Sequence, residues 1–314
     1  RSCHAPLGKP VLVFGPNNFP FAFNAVSGGD FAAAIAARNP VIAKAHPAHP
    51  GTSQRLAEHA QRAADAAGLP AGTVQLLYDM PAPLGWALAG DTRLGAIAFT
   101  GSRSAGLALK QAADAAGIPF FGELSSLNPV FLLPGALAER GEALAEAFSA
   151  SCLLGSGQFC TNPGLVLVPR GAAGDAFVAA VAGRFADTAP QLLLSPAVLA
   201  TLQHAIGALR QAGARLLCGG TPGSVGITHA PTLFEVDAEA FLAAPARFQG
   251  EAFGPSSLLL RVSDVAQMQA VAATLEGQLT GTLYRAGDGS DDAAWQAVAS
   301  VLRPRVGRLI CDRM

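Results

Sequence analysis

The sequence predicts an α/β fold with parallel sheets, arranged as two domains. Three observations carry that prediction. Short apolar runs rich in Val, Ile, Leu and Phe alternate with alanine-rich runs of helical character. The apolar runs are continuous rather than alternating polar and apolar, as in strands covered on both faces. The chain has 314 residues, 51% hydrophobic and 14% charged, which is enough apolar material for the cores of about two domains.

The elements follow in order. Strands are expected at PVLVFG (10–15), PVIAKA (40–45), TVQLLY (73–78) and LGAIAFTG (94–101). Helices are expected between and after them, at 30–38, 51–68 and 102–117. The last two end at Gly68 and Gly117, where a left-handed cap is tolerated. A second series begins with strand PVFLLP (129–134) and helix 137–155. Strand GLVLVP (164–169), helices 174–185 and 196–213 and strand ARLLCGG (214–220) continue it. Further strands are expected at 230–236, 254–262, 280–285 and 306–311. The boundary falls near residues 122–128. No fixed-period repeat or low-complexity linker interrupts the pattern.

Composition narrows the function classes. The net charge is −1, without a basic block or acidic tail, so neither nucleic acid nor a membrane surface is an expected partner. No run approaches the ~18–20 consecutive apolar residues of a membrane helix. Cys3, Cys152, Cys160, Cys218 and Cys311 are scattered and form no CxxC pair, which fits neither a disulfide framework nor a zinc knuckle. A reducing, cytoplasmic location is expected. His46 and His49 lie in HPAHP (46–50) without an evident third ligand, so no metal is expected.

Four short segments carry candidate chemistry, each with a plain structural alternative. GSGQFCTNPG (155–164) places Cys160 among polar and glycine residues just past a helix, as either a small packing residue or a nucleophile near backbone N–H groups. PFFGELSSLNP (119–129) offers Glu123, either a solvated or paired acid or a general base. GPNNFPFAFN (15–24) follows the first strand, where open parallel sheets bind ligands, so its asparagines are turn formers or oxyanion donors. FTGSRSAG (99–106) is a strand–Gly–Ser–helix junction, an ordinary helix start or an anion site. It lacks the G-x-G-x-x-G spacing.

Taken in order, PNNFP, the strand ending in Lys44, FTGS, GELSSLNP, GQFCTNP and GEAFGP (250–255) resemble the running order of the aldehyde dehydrogenase superfamily. The resemblance covers essentially the whole chain. IAKAHPAHPGTS (42–53) is most similar to the NADP-preferring branch that oxidises α-ketoglutaric semialdehyde (2,5-dioxopentanoate). It implies two Rossmann-like domains with the active site in the cleft between them. Residues 1–125 would bind nucleotide, 126–305 would carry the nucleophile, and 306–314 would be the final strand and the start of a shortened tail.

The resemblance also implies roles. Cys160 matches the nucleophile, Glu123 the general base and Asn18 the oxyanion amide. Lys44 matches the adenosine-ribose lysine, Gly101 and Ser102 the pyrophosphate turn, and Glu251 with Phe253 the nicotinamide-ribose site. The implied reaction is NAD(P)-dependent oxidation of a small aldehyde to its acid through a Cys160 thiohemiacetal and thioester. An acid that would favour NAD in many members is replaced by Pro47, and Lys44, His46 and Arg62 are the local cations, so NADP is expected ahead of NAD. Family members are homodimers or tetramers, whereas segments before Asn18 and after the last strand are expected to be missing here, including oligomerisation elements. Two alternatives stay open: a shortened, non-catalytic relative that keeps the fold, and a thiol esterase using Cys160 and Glu123.

Overall fold

The computed structural model describes residues 5–313. Cys3 lies outside them. The chain divides into two compact units, one ending at Ser125 and the other starting at Ser126.

The first unit contains β1 (Val11–Phe14), α1 (Gly29–Ala36), β2 (Val41–Lys44), α2 (Pro50–Ala66), β3 (Val74–Leu77), α3 (Ala82–Ala89), β4 (Ala96–Thr100), α4 (Arg103–Ala115) and β5 (Phe120–Glu123). Its five strands lie in the order β3-β2-β1-β4-β5, all parallel. The continuous apolar runs explain themselves. Successive side chains point to opposite faces. Val11, Val13, Val41, Ala43, Ala96 and Ala98 enter one core, while Leu12, Phe14, Ile97 and Phe99 enter the other. Gly68 and Gly117 are both left-handed, at φ 67° and 68°, just past the ends of α2 and α4. Helix α3 was not anticipated. It is short, opens behind Pro81, and is apolar on every side, so it shows no amphipathic stripe.

The second unit contains β6 (Val130–Leu132), α5 (Pro134–Leu153), β7 (Leu165–Pro169), α6 (Ala172–Asp187), β8 (Gln191–Leu192), α7 (Pro196–Ala212), β9 (Arg215–Cys218), β10 (Thr228–His229), β11 (Thr232–Asp237), α8 (Ala238–Ala243), β12 (Ser256–Val262), α9 (Val265–Thr274), β13 (Gln278–Tyr284), α10 (Asp292–Leu302) and β14 (Val306–Cys311). Seven strands form one sheet, β14-β13-β6-β7-β12-β11-β9, and β8 pairs separately with β10. Leu165, Leu167, Leu258 and Leu260 pack on one face, and Val166, Val168 and Leu259 on the other.

One detail corrects the sequence expectation. Edge strand β9 runs antiparallel to β11, because left-handed glycines at 219 and 220 open a reversing connection where the other neighbours have helical crossovers. Strand β14 pairs with β13 in register from Gln278–Val306 to Leu283–Cys311, as the last strand of this sheet. Helices α8, α9 and α10 are additional. The α9 start was readable, since Asp264 Oδ1 accepts the Gln267 N–H at 2.8 Å as an N-cap.

Candidate active site

In the first unit the sequence-predicted residues gather at the carboxyl-terminal edge of the sheet. Asn18 follows β1, Lys44 ends β2, Gly101 and Ser102 follow β4, and Glu123 ends β5. The chain winds outward through β1, β2 and β3, then returns to β4 on the other side of β1. The crevice between β1 and β4 is therefore the topological switch point, where open α/β sheets take ligands.

The Asn18 loop is anchored from α2. The Pro16 carbonyl accepts from His49 Nε2 at 3.1 Å. That tautomer leaves Nδ1 to accept from Ser53 Oγ at 3.4 Å, and Ser53 Oγ in turn accepts from Asn24 Nδ2 at 3.0 Å. Ser53 and Asn24 are both buried, so that end of the chain of donors is closed away from water.

The start of α4 carries nothing that would repel an anion. Ser102 caps it without a side-chain bond to the helix, and no acid stands in its first turn. Gly106, one turn on, lets the helix press against the sheet, since a Cβ there would run into Leu124 and Phe99. Lys44 is half-buried. Burial lowers its pKa, and the charge of Asp79, past the end of β3, acts in the opposite direction. The start of α4 past β4 and the cationic end of β2 thus lie on either side of β1.

Arg62 does not join this set. Helix α2 leaves the carboxyl edge, and Arg62 lies about 18 Å along it at 1.5 Å per residue, exposed and bonded to His59 Nδ1 at 2.9 Å. Among the described residues no group of three His, Cys, Asp or Glu side chains is placed to hold a metal ion. His46 and His49 instead stack on each other, with ring centroids 5.5 Å apart.

In the second unit the candidates gather at the amino-terminal edge. Cys160 precedes β7, and Glu251 and Phe253 precede β12. Helix α5 ends at Leu153, and Gly155, Ser156 and Gly157 follow with φ of 56°, 60° and 65°. Three consecutive left-handed residues reverse the chain, and only Ser156 of them bears a side chain, at a penalty of about 1–2 kcal/mol. Cys160 then occupies the second position of a β-turn, closed by the Asn162 N–H donating to the Phe159 carbonyl at 3.0 Å. Its side chain is half-buried.

The loops carrying Cys160 and Glu251 meet backbone to backbone. A Cβ at Gly157 would overlap the Gly254 carbonyl. Asn162 Nδ2 also donates to that carbonyl, at 3.5 Å. Gly250 and Ala252, which flank Glu251, line a small pocket with Leu127 and Gly164. Cys152 is a different kind of thiol. It is fully buried in α5, and burial pushes its pKa up to about 12 against a weaker opposing bond from Asn162.

Sequence reading missed three side chains that shape this edge. Asn128 Nδ2 donates to the carbonyls of Cys160 and Asn162, both at 2.9 Å. Buried Gln158 donates to the Gly155 and Leu192 carbonyls and accepts from the Leu194 N–H at 2.8 Å. Asn162 is the third. The Asn128-Pro129 dipeptide was a turn signal available in the sequence.

A switch-point crevice in one parallel sheet and a cysteine turn at the edge of a second describe a two-unit α/β protein with Rossmann-like sheets. The chain belongs to the aldehyde dehydrogenase family, whose model matches residues 2–300. It is 42% identical over 306 residues to alpha-ketoglutaric semialdehyde dehydrogenase 2 of Azospirillum brasilense, covering 96% of this chain and 58% of that protein. It is 36% identical over 304 residues to alpha-ketoglutaric semialdehyde dehydrogenase of Acinetobacter baylyi, covering 96% and 57%. The chain thus spans less than two thirds of the length of these relatives. The apo betaine aldehyde dehydrogenase of Staphylococcus aureus shares the fold, with TM-score 0.79 and 20% identity over 98% of this chain and 60% of that one. No helix among the described residues is long and apolar enough to cross a membrane.

Proposed function

We propose that this chain carries the catalytic chemistry of an NAD(P)-dependent dehydrogenase acting on a small aldehyde, with α-ketoglutaric semialdehyde as the leading substrate. The 42% identity to an alpha-ketoglutaric semialdehyde dehydrogenase over nearly the whole chain is the observation that carries this reading. The Cys160 thiolate adds to the aldehyde carbon. The negative charge that develops on oxygen is met by the Asn18 amide and the Cys160 backbone N–H. A bound nicotinamide supplies the hydride acceptor. Glu123 takes a proton from the water that releases the acid from the Cys160 thioester. Ser102 and Gly101 would receive the pyrophosphate, Lys44 the adenosine ribose, and Glu251 with Phe253 the nicotinamide ribose.

NADP is the preferred cofactor in this reading. The loop after Lys44 offers His46 and Pro47 where an acid would repel a 2′-phosphate. Arg62 is left out of the phosphate site because of its distance along α2. Cys160→Ala, assayed with α-ketoglutaric semialdehyde and NADP, tests the chemistry. Turnover in the parent chain and its loss in the variant are expected. Turnover retained by Cys160→Ala would remove Cys160 as nucleophile. Dinucleotide binding without turnover in the parent would favour the non-catalytic reading.

A further inference from the structure

We infer that Asn128 is a positioning residue for Cys160, holding the turn that presents the thiol and its backbone N–H. The inference rests on Cys160 being the nucleophile. A primary amide has two N–H donors. Both are spent on the Cys160 turn, one on the carbonyl of Cys160 and one on that of Asn162. The carbonyl of Cys160 rotates with its ψ angle, so fixing that oxygen fixes the backbone of the reactive residue.

The other end of the amide is held as firmly. Asn128 Oδ1 accepts from Ser126 Oγ at 2.9 Å, from Thr280 Oγ1 at 3.1 Å and from the Thr280 N–H at 3.3 Å. A flipped amide would set its oxygen against two carbonyls and its N–H groups against the Thr280 N–H, so only one orientation satisfies the site. The side chain is 3% exposed, so neither end can trade its partners for water. The backbone is committed too. Asn128 has φ 47°, a left-handed conformation that Asn, Asp and Gly tolerate best, and it leads directly into β6. The turn is thereby referenced to β6 and β13 through one side chain.

Two replacements separate this role from plain packing. Asn128→Gly keeps the left-handed backbone and deletes the amide. Asn128→Asp keeps the shape but turns carboxylate oxygens toward both carbonyls. The readout is the rate of iodoacetamide labelling at Cys160 across a pH series, resolved by peptide mass spectrometry in the folded chain. Labelling of Cys218, on β9, is the internal reference. Expected is a fall of about tenfold at neutral pH for Asn128→Gly and a larger fall for Asn128→Asp, with Cys218 unchanged. Where turnover is measurable, kcat should drop about a hundredfold with KM nearly constant, the signature of a displaced reacting group.

Thr280→Val covers the case in which the Asn128 variants do not fold. It removes one bond that orients the amide, and a fall of about threefold in Cys160 labelling is expected. Cys160 labelling within twofold of the parent in any folded variant of the three, including one of lowered thermal stability, would overturn the inference and leave Asn128 a structural residue. Turnover retained by Cys160→Ala would instead overturn the nucleophile assignment, a separate outcome.

Discussion

The two sheets put their candidate residues at opposite edges. In the first unit Asn18, Lys44, Gly101, Ser102 and Glu123 all lie at or past the carboxyl ends of strands. In the second, Asn128, Cys160, Glu251 and Phe253 all lie before strands. The electrostatics differ accordingly. A carboxyl edge feeds helix N-termini, whose open N–H groups attract phosphate. An amino-terminal edge receives chain from helix C-termini, where carbonyls predominate. The last turn of α5 carries no basic residue to offset them. Instead three side-chain amides, from Asn128, Gln158 and Asn162, donate to carbonyls around the Cys160 turn. One edge presents helix N-termini, and the other is assembled by amides.

The largest effect that would sharpen this contrast is expected at Gly157. Gly157→Ala forces a Cβ against the Gly254 carbonyl at a φ of 65° and should destabilise the second unit by roughly 3 kcal/mol or more. Gly117→Ala, with a similar φ of 68° and open space around it, should cost only about 1 kcal/mol. Thermal unfolding of the two variants checks the difference, and equal losses would mean that the backbone contact is unimportant.

Next is Lys44→Met. It should weaken dinucleotide binding about tenfold or more, the worth of one charge-assisted hydrogen bond, without altering Cys160 labelling. Fluorescence titration reads the first and mass spectrometry the second. A parallel change in both would break the division of labour between the edges.

The smallest effect concerns His46. Burial, then the charges of His49 and Lys44, lowers its pKa from 6.5 to about 4. The unfolded chain therefore binds more protons between those values, and stability falls as pH drops from 6.5 to 4. His46→Gln should flatten that part of the stability–pH curve. Denaturant melts at pH 7 and pH 4.5 would show the parent losing more than the variant, and equal losses would count against it.

The fold was legible where side-chain pattern decides it. Val11–Phe14 and Leu165–Val168 are apolar at every position because both faces are covered, and that appears directly in the sequence. Helix α3 was hidden because it is apolar all round, and the antiparallel run of β9 because direction is set by a connection rather than by the strand's own residues. At the site, Cys160 and Glu251 stood out through their motifs. Asn128 did not, since its role depends on carbonyls 32 and 34 residues away that only the folded chain brings within reach. Arg62 read as a nearby cation along the sequence, but helical rise carries it away from Lys44.

The contact between Gly157 and the Gly254 carbonyl also bears on how this edge opens. The backbones meet directly at Gly157 and Gly254, and the Asn162 amide bridges the same carbonyl. Amide hydrogen exchange at 157–162 and at 250–254 is then expected to report one shared opening event, although the segments lie far apart along the chain. The reactive turn is, in that sense, as rigid as a distant loop allows, and a change that loosens 250–254 would be felt at Cys160 without touching it.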